Sequence, residues 1–316
     1  MRPPKLSVIV PSYNHGHFLR ERIDSILNQS FQDFELIFLD DCSTDNSVAI
    51  LREYEAHPRV SALVTNARNS GSPFPQWQRG LDLAVGELIW IAESDDSAEF
   101  NFLAKMVELF ESHENLTLAY CRSQRVDEWG ASLGDDFWPD ALDGVRWRRP
   151  FVADASKEVE DYLSWRNTIP NASAVVFRRA AAEQVAVPCD MLFAGDWVFW
   201  IHLLQLGGRI GYTPDVLNRF RKHSGTTRQV KSAEAERRRL LEYLRAIEVA
   251  GQPFRLSGLS VDTAHGWMLT EFLSRGHPQP FWLLSVESLA FRSRLCFVVA
   301  AVMSPAIRTL FGKGDG

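Results

Sequence analysis

The chain has little that would tie it to nucleic acid, to an oxidising compartment or to a bilayer core. Its 34 Lys and Arg are outnumbered by 40 Asp and Glu, for a formal net charge of −6, whereas binding to a phosphate backbone wants a basic surface. The four cysteines, Cys42, Cys121, Cys189 and Cys296, contain no C-x-x-C pair; this removes the common zinc and dithiol motifs and suits reduced thiols. The opening "MRPPKLSVIVPSYN" enters a strand-like run almost at once and leaves no room for a secretory leader, so residence in the cytoplasm is expected. The most apolar stretch, "FWLLSVESLAFRSRLCFVVAAVMSPAI", is cut by Glu287, Arg292 and Arg294, and its uninterrupted part falls short of the roughly 20 residues of a spanning helix. The turn "VPSYNHG" lacks the G-x-G-x-x-G spacing that lets a dinucleotide pyrophosphate approach the backbone, which disfavours an oxidoreductase.

What is present is an alternation. "LSVIV" reads as a buried strand closed by Pro11, followed by a helix whose Leu19, Ile23, Ile26 and Leu27 form one apolar stripe. "ELIFLDD" is a second strand, and Ser43, Thr44 and Asp45 are candidate caps for a helix over 46–54. "RVSALVT", a helix over 76–84, Gly86 as its stop and the strand "LIWIA" repeat the pattern. Such alternation predicts a parallel sheet covered by helices, with ligands bound beyond the carboxyl ends of its strands. Asn14, the pair Asp40 and Asp41, and the cluster from Glu93 to Asp96 all fall at those ends. From 100 to 228 the alternation is less regular, with a helix over 102–113, a Trp- and Asp-rich loop over 127–149, "SAVVFRR" and "GDWVFWIHLLQLGG". After 228 comes a charged amphipathic helix, and the expected division is a domain over 1–228 and a helical extension over 229–316.

The chemistry concentrates in "LIWIAESDD", where five apolar residues run into Glu93, Asp95 and Asp96. Burying one carboxylate costs several kcal/mol without a partner, and three crowded ones repel. A hard divalent cation, Mg²⁺ or Mn²⁺, shared by carboxylate oxygens and a substrate diphosphate would supply the missing charge; a solvated acidic loop capping the next helix is the plainer reading. Asp196 opens the helix "GDWVFWIHLL" and is either a helix N-cap, a general base, or both.

"LSVIVPSYNHGHFLRERIDSILNQSFQDFELIFLDDCSTDNS", then "ARNSG", "GLDLAVGELIWIAESDD", "AGDWVFWIHLLQLGG" and "NRFRKHSGTT", in this order over about 5–228, resemble the inverting nucleotide-sugar glycosyltransferases of family 2. The resemblance implies the α/β GT-A fold, a Rossmann-like mixed sheet with helices on both faces. It implies a nucleotide-binding role for Pro11, Tyr13, Asn14, Asp40, Asp41, Arg68 and Ser94, with Asp40 accepting the N3–H of uracil or thymine. Asp95 matches the last acid of the D-x-D motif and His223 is a further metal ligand; Glu93, Asp96 and Arg221 contact the diphosphate or support the loop; Asp196 is the base. Trp165, Trp197 and Trp200 either stack on the acceptor sugar or belong to the core.

Three positions depart from the family pattern: Cys42 replaces a glycine, so the backbone there either does not need a positive φ or carries a strain cost for it; Glu93 replaces the first acid of D-x-D; Gly195 replaces the glutamate before the base. Two readings therefore stand. One is a metal-dependent enzyme moving sugar from a UDP- or dTDP-sugar to a glycan or lipid-linked glycan in cell-surface polysaccharide or lipopolysaccharide synthesis; the other is a donor-binding scaffold without turnover. The basic stretch 219–245 and the apolar segment 281–303 either lie on an anionic membrane as a peripheral contact or pack on the domain or a second subunit.

Overall fold

The computed structural model describes residues 2–134, 137–225 and 232–251. The segment 281–303 and most of the expected extension lie outside the described residues. Strands β1 (Leu6–Ser12), β2 (Phe34–Asp40), β3 (Val60–Thr65), β4 (Leu88–Ile91), β5 (Ser97–Ala98), β6 (Leu116–Val126), β7 (Phe151–Asp154), β8 (Val175–Arg178) and β9 (Arg209–Arg221) form one sheet. Its order is β3-β2-β1-β4-β8-β6-β9-β5, with β7 also on β9. The pairs β1–β2, β2–β3 and β1–β4 are parallel, while β8 runs antiparallel to both β4 and β6. The sheet is thus mixed, and the alternation visible in the sequence corresponds to its parallel half.

The helices are α1 (Gly16–Leu27), α2 (Ser47–Tyr54), α3 (Phe74–Leu83), α4 (Phe102–Ser112), α5 (Ala155–Glu158), α6 (Arg179–Ala182), α7 (Gly195–Gln205) and α8 (Ala233–Gly251). Side chains alternate across a strand, so each inner strand feeds two cores. Val8, Leu36, Phe38 and Trp90 pack beneath α1, α2 and α4. Ile9, Ile37, Leu39 and Ile91 pack beneath α3 and α7, joined by Leu240, Leu244 and Ile247 of α8. Trp197 and Trp200 are buried in this second core and are packing groups, with the half-buried Trp165 packed against it.

One local expectation needs correction, and one open alternative is decided. The first strand continues through Pro11 to Ser12, in register with Leu39 and Asp40, because an extended φ suits the pyrrolidine ring. Cys42 has φ +65°, and Asn14 φ +54°. Cysteine therefore occupies the left-handed conformation that the family's glycine takes freely, at a strain of about 1 kcal/mol.

Candidate active site

The β1–α1 turn and the loop after β2 are laced together at the carboxyl rim of the sheet. Asn14 Oδ1 accepts the Thr44 N–H at 2.7 Å, the Asn14 N–H donates to Ser43 Oγ, and Asp45 accepts the N–H of Gly16 at the start of α1. Asp40 uses only one oxygen, which accepts the Ser43 N–H at 2.8 Å; its Oδ2 is buried without a hydrogen-bond partner among the described residues. Asp41 is fully occupied instead. It accepts from Asn66, Asn69, Gln76 and both the N–H and Oγ–H of Ser70, at 2.6–3.1 Å, and so pins the loop between β3 and α3, where the exposed Arg68 sits. Asp41→Ala strands several of these donors. It should cost about 3 kcal/mol, read as a lower denaturant midpoint at unchanged slope.

The three crowded carboxyls are resolved by unequal environments. Burial, reinforced by the negative charges of Asp95 and Asp96, pushes Glu93 up to about 8, so it is mostly neutral at pH 7, and it accepts the Trp77 indole N–H at 2.8 Å. Burial and Asp95 together push Asp96 up to about 6; its oxygens accept the Arg221 N–H at 2.9 Å and the Asn171 side-chain amide at 3.0 Å. Asp95 behaves oppositely. Burial acts to raise it, but the imidazoles of His15 and His223 outweigh that and hold it below the ordinary aspartate range.

Part of the positive charge that the acidic motif needs is supplied by the protein itself. Arg22 on α1 is fully buried, its guanidinium 4.7 Å from the centre of the Trp90 ring and without a hydrogen-bond partner among the described residues. Burial pushes it down to about 10, while Asp96, Asp95 and Glu93 act to hold it charged. Arg221 is also buried. Its guanidinium donates to the carbonyls of Asp95, Asp127 and Glu128 and to Glu21, which makes it a support of the acidic loop with its donors directed inward.

Asp95 Oδ2 lies 3.1 Å from His223 Nε2, and His15, Asp95 and His223 each bring one ligand atom within 4.8 Å of the others. The His15 and His223 rings meet edge-on, 5.3 Å between centroids. Burial lowers His15, favouring the neutral imidazole that a metal requires. Its Nδ1 is 2.7 Å from Ser94 Oγ. With Nδ1–H donating to that hydroxyl, Nε2 keeps its lone pair, the usual outer-shell arrangement of a ligating histidine. Two imidazoles and one carboxylate fit a divalent cation, and the nitrogen donors suit a transition metal such as Mn²⁺ better than the harder Mg²⁺. His15 is absent from the sequence-derived site and Ser94 is placed there as a nucleotide contact; the signal for His15 was its position directly after Asn14 in a rim turn.

Asp196 lies in the first turn of α7, whose N-cap is Ala194, so the N-cap role does not apply to it. Its Oδ2 accepts the Asn167 amide at 3.2 Å. The segment 167–173 braces both acidic stations, since Asn171 donates to Asp96 and Ser173 Oγ accepts the Glu93 N–H at 3.0 Å. The first turn of α3 joins them again. Phe74 lies so close to Gly195 that a Cβ there would fall 2.5 Å from its ring, while Trp77, 5.1 Å from Phe74 between centroids, bonds to Glu93. Gly195 is thus required by packing, and the first turn of α3 touches both the start of α7 and Glu93 of the acidic loop.

Comparison with known proteins agrees with this architecture. The family model described as glycosyl transferase family 2 matches residues 7–185, more than half of the chain. The putative teichuronic acid biosynthesis glycosyltransferase TuaG of Bacillus subtilis is 30% identical over 204 residues, 65% of this chain and 73% of that protein. Among solved structures, S. aureus TarS 1-349 in complex with UDP-GlcNAc superimposes with a TM-score of 0.61 at 18% identity, covering 96% of this chain and 92% of that one. The mannosyltransferase PcManGT from Pyrobaculum calidifontis, in complex with GDP-Man and Mn²⁺, gives 0.59 at 19% identity, covering 99% and 89%. The matched segment carries the strands and turns that present Asp40, Asp95 and His15, and the chain belongs to glycosyl transferase family 2, a glycosyltransferase with the GT-A fold.

Proposed function

We propose that the protein is a metal-dependent inverting glycosyltransferase that moves a sugar from a UDP- or dTDP-sugar to a hydroxyl of a cell-surface glycan. The observation that carries the reading is the convergence of His15, Asp95 and His223 on one point of the rim, with a second carboxylate, Asp196, held by Asn167 of the segment that also braces Asp96 and Glu93. When bound, Mg²⁺ or Mn²⁺ would neutralise charge on the leaving diphosphate. Asp196 takes the proton of the acceptor hydroxyl as its oxygen bonds to the anomeric carbon; the bond to the diphosphate breaks on the opposite face, so configuration inverts. TuaG supports the choice of a cell-surface glycan acceptor, and the neighbour bound to UDP-GlcNAc supports a uridine nucleotide.

Base selection falls to Asp40. Its orphaned Oδ2 matches the imide N3–H of uracil or thymine, and Tyr13, 44% exposed just beyond β1, offers a ring for stacking. Calorimetric titration with UDP, dTDP, GDP and CDP, with and without Mn²⁺, tests this reading. UDP or dTDP should bind with a strong metal requirement, and CDP, whose N3 is an acceptor, should bind at least ~10-fold more weakly. Asp40→Ala should remove that preference while leaving metal affinity intact; equal weakening of every nucleotide would refute base reading by Asp40.

Among the described residues no helix is long and apolar enough to cross a membrane. Arg219, Arg221, Arg238, Arg239 and Arg245 are each paired with a carboxylate, so these basic residues of the 219–245 stretch are engaged within the fold.

A further inference from the structure

Helix α8 lies beyond the segment that the family model matches, yet it reaches the loop that leads into Asp196. Glu242, 7% exposed, directs both carboxylate oxygens at the backbone of residues 192–194. They accept the N–H of Leu192 at 2.9 and 3.0 Å, of Phe193 at 2.6 Å and of Ala194 at 3.0 Å. Arg238, one turn earlier on α8, donates to Glu242 at 2.8 Å and to the Asp190 carbonyl at 3.0 Å, and Arg245 pairs with the Asp190 carboxylate. The far end of α7 is held as well, since the Gln205 amide donates to the Val249 carbonyl at 2.9 Å.

The local sequence of α7 offers no substitute for this carboxylate. A helix start leaves backbone N–H groups without intrahelical acceptors; Asp196 Oδ1 accepts that of Trp197 at 2.7 Å, but the N-cap is Ala194, which has no polar side chain, and its N–H, with those of Leu192 and Phe193 leading into the helix, turns to Glu242. The next position is closed to any side chain by the Phe74 ring. A negative group at this end also suits the helix dipole. Without Glu242 the N–H groups of 192–194 would turn towards other acceptors, and the first turn of α7, which carries Asp196, would shift with them.

We propose that Glu242 is a positioning residue for Asp196, so that α8 completes the catalytic centre. This rests on Asp196 being the base. The effect should fall on the chemical step, because the donor site at the β1, β2 and β4 ends makes no use of Glu242, and a displacement of about 1 Å at a reacting group can cost on the order of 10² in rate.

The test compares Glu242→Ala and Glu242→Gln in the full chain by Mn²⁺-dependent UDP calorimetry and by steady-state transfer. Glu242→Ala should lower kcat by roughly 10-fold or more with UDP affinity within about 2-fold of the parent, and Glu242→Gln, whose amide oxygen still accepts backbone N–H groups, should recover part of the loss. A parental kcat in a folded Glu242→Ala protein would overturn the assignment. So would parallel losses of kcat and UDP affinity, the mark of general loosening. If Glu242→Ala does not fold, Glu242→Gln carries the test: a reduced kcat at parental UDP affinity supports the role, and a parental kcat, or losses in both, overturns it. Asp196→Asn run alongside separates the two readings, since retained turnover there would sink the base assignment itself and leave the Glu242 contacts as structure alone.

Discussion

Asp95→Ala should abolish metal-dependent nucleotide binding, with Mn²⁺ affinity in the presence of UDP falling by more than ~100-fold, since the change removes the anionic ligand of the site. The neighbouring acids cannot take over. Glu93 is held largely neutral and bonded to Trp77, and Asp96 is engaged by Arg221 and Asn171. His223→Ala and His15→Ala should each weaken Mn²⁺ by roughly 10- to 100-fold. Pulsed electron paramagnetic resonance of the Mn²⁺–UDP complex gives a readout independent of turnover. Two nitrogen couplings are expected in the parent and one in either histidine variant; unchanged couplings in His15→Ala would remove His15 from the ligand set, and undiminished Mn²⁺ binding by Asp95→Ala would relocate the site.

The second large effect belongs to Asp196→Asn. Transfer should fall by a factor on the order of 10² or more while UDP and Mn²⁺ still bind, because an amide of the same shape cannot accept the acceptor's proton. The substitution is mild structurally: Asp196 is half-buried, and an amide oxygen can keep the 2.7 Å bond from the Trp197 N–H, giving up only the longer one from Asn167. Loss of binding together with transfer would mean that Asp196 serves the donor, and unchanged turnover would move the base elsewhere.

Much of the placement of the candidate site was legible in the sequence. Strands β1, β2 and β4 are continuous apolar runs that end on polar residues, and a parallel strand buried on both faces leaves its functional groups only at its end. Asn14, Asp40, Asp41 and the cluster 93–96 could therefore be placed on one rim before any coordinates. Their division of labour could not. Asp40 and Asp41 are adjacent and chemically identical, yet one keeps an orphaned oxygen and the other is saturated by the loop before α3 and by Gln76 on that helix, 25–35 residues further on. Glu93, Asp95 and Asp96 likewise read as three equivalent acids, and only burial and the approach of His15, His223, Trp77 and Arg22 separate a neutral carboxyl from an ionised one.

Arg221 shows why such placements escape a linear reading. In the sequence it is one arginine in a basic stretch beside His223; in the fold it is buried and spans four elements, while its neighbour two residues on reaches Asp95. Glu242 is the longer-range case. Nothing local distinguishes it on a charged helix, and its role arises because α8 folds back onto α7.

The sequence by itself determined the layered α/β architecture, the rim on which ligands bind and the family, because these follow from periodicity and from motifs in fixed order. Tertiary structure alone decided which acid is charged, which histidines meet Asp95 and which helix holds Asp196 in place. Those outcomes depend on desolvation and on contacts between residues tens to hundreds of positions apart, and such terms have no local period to read.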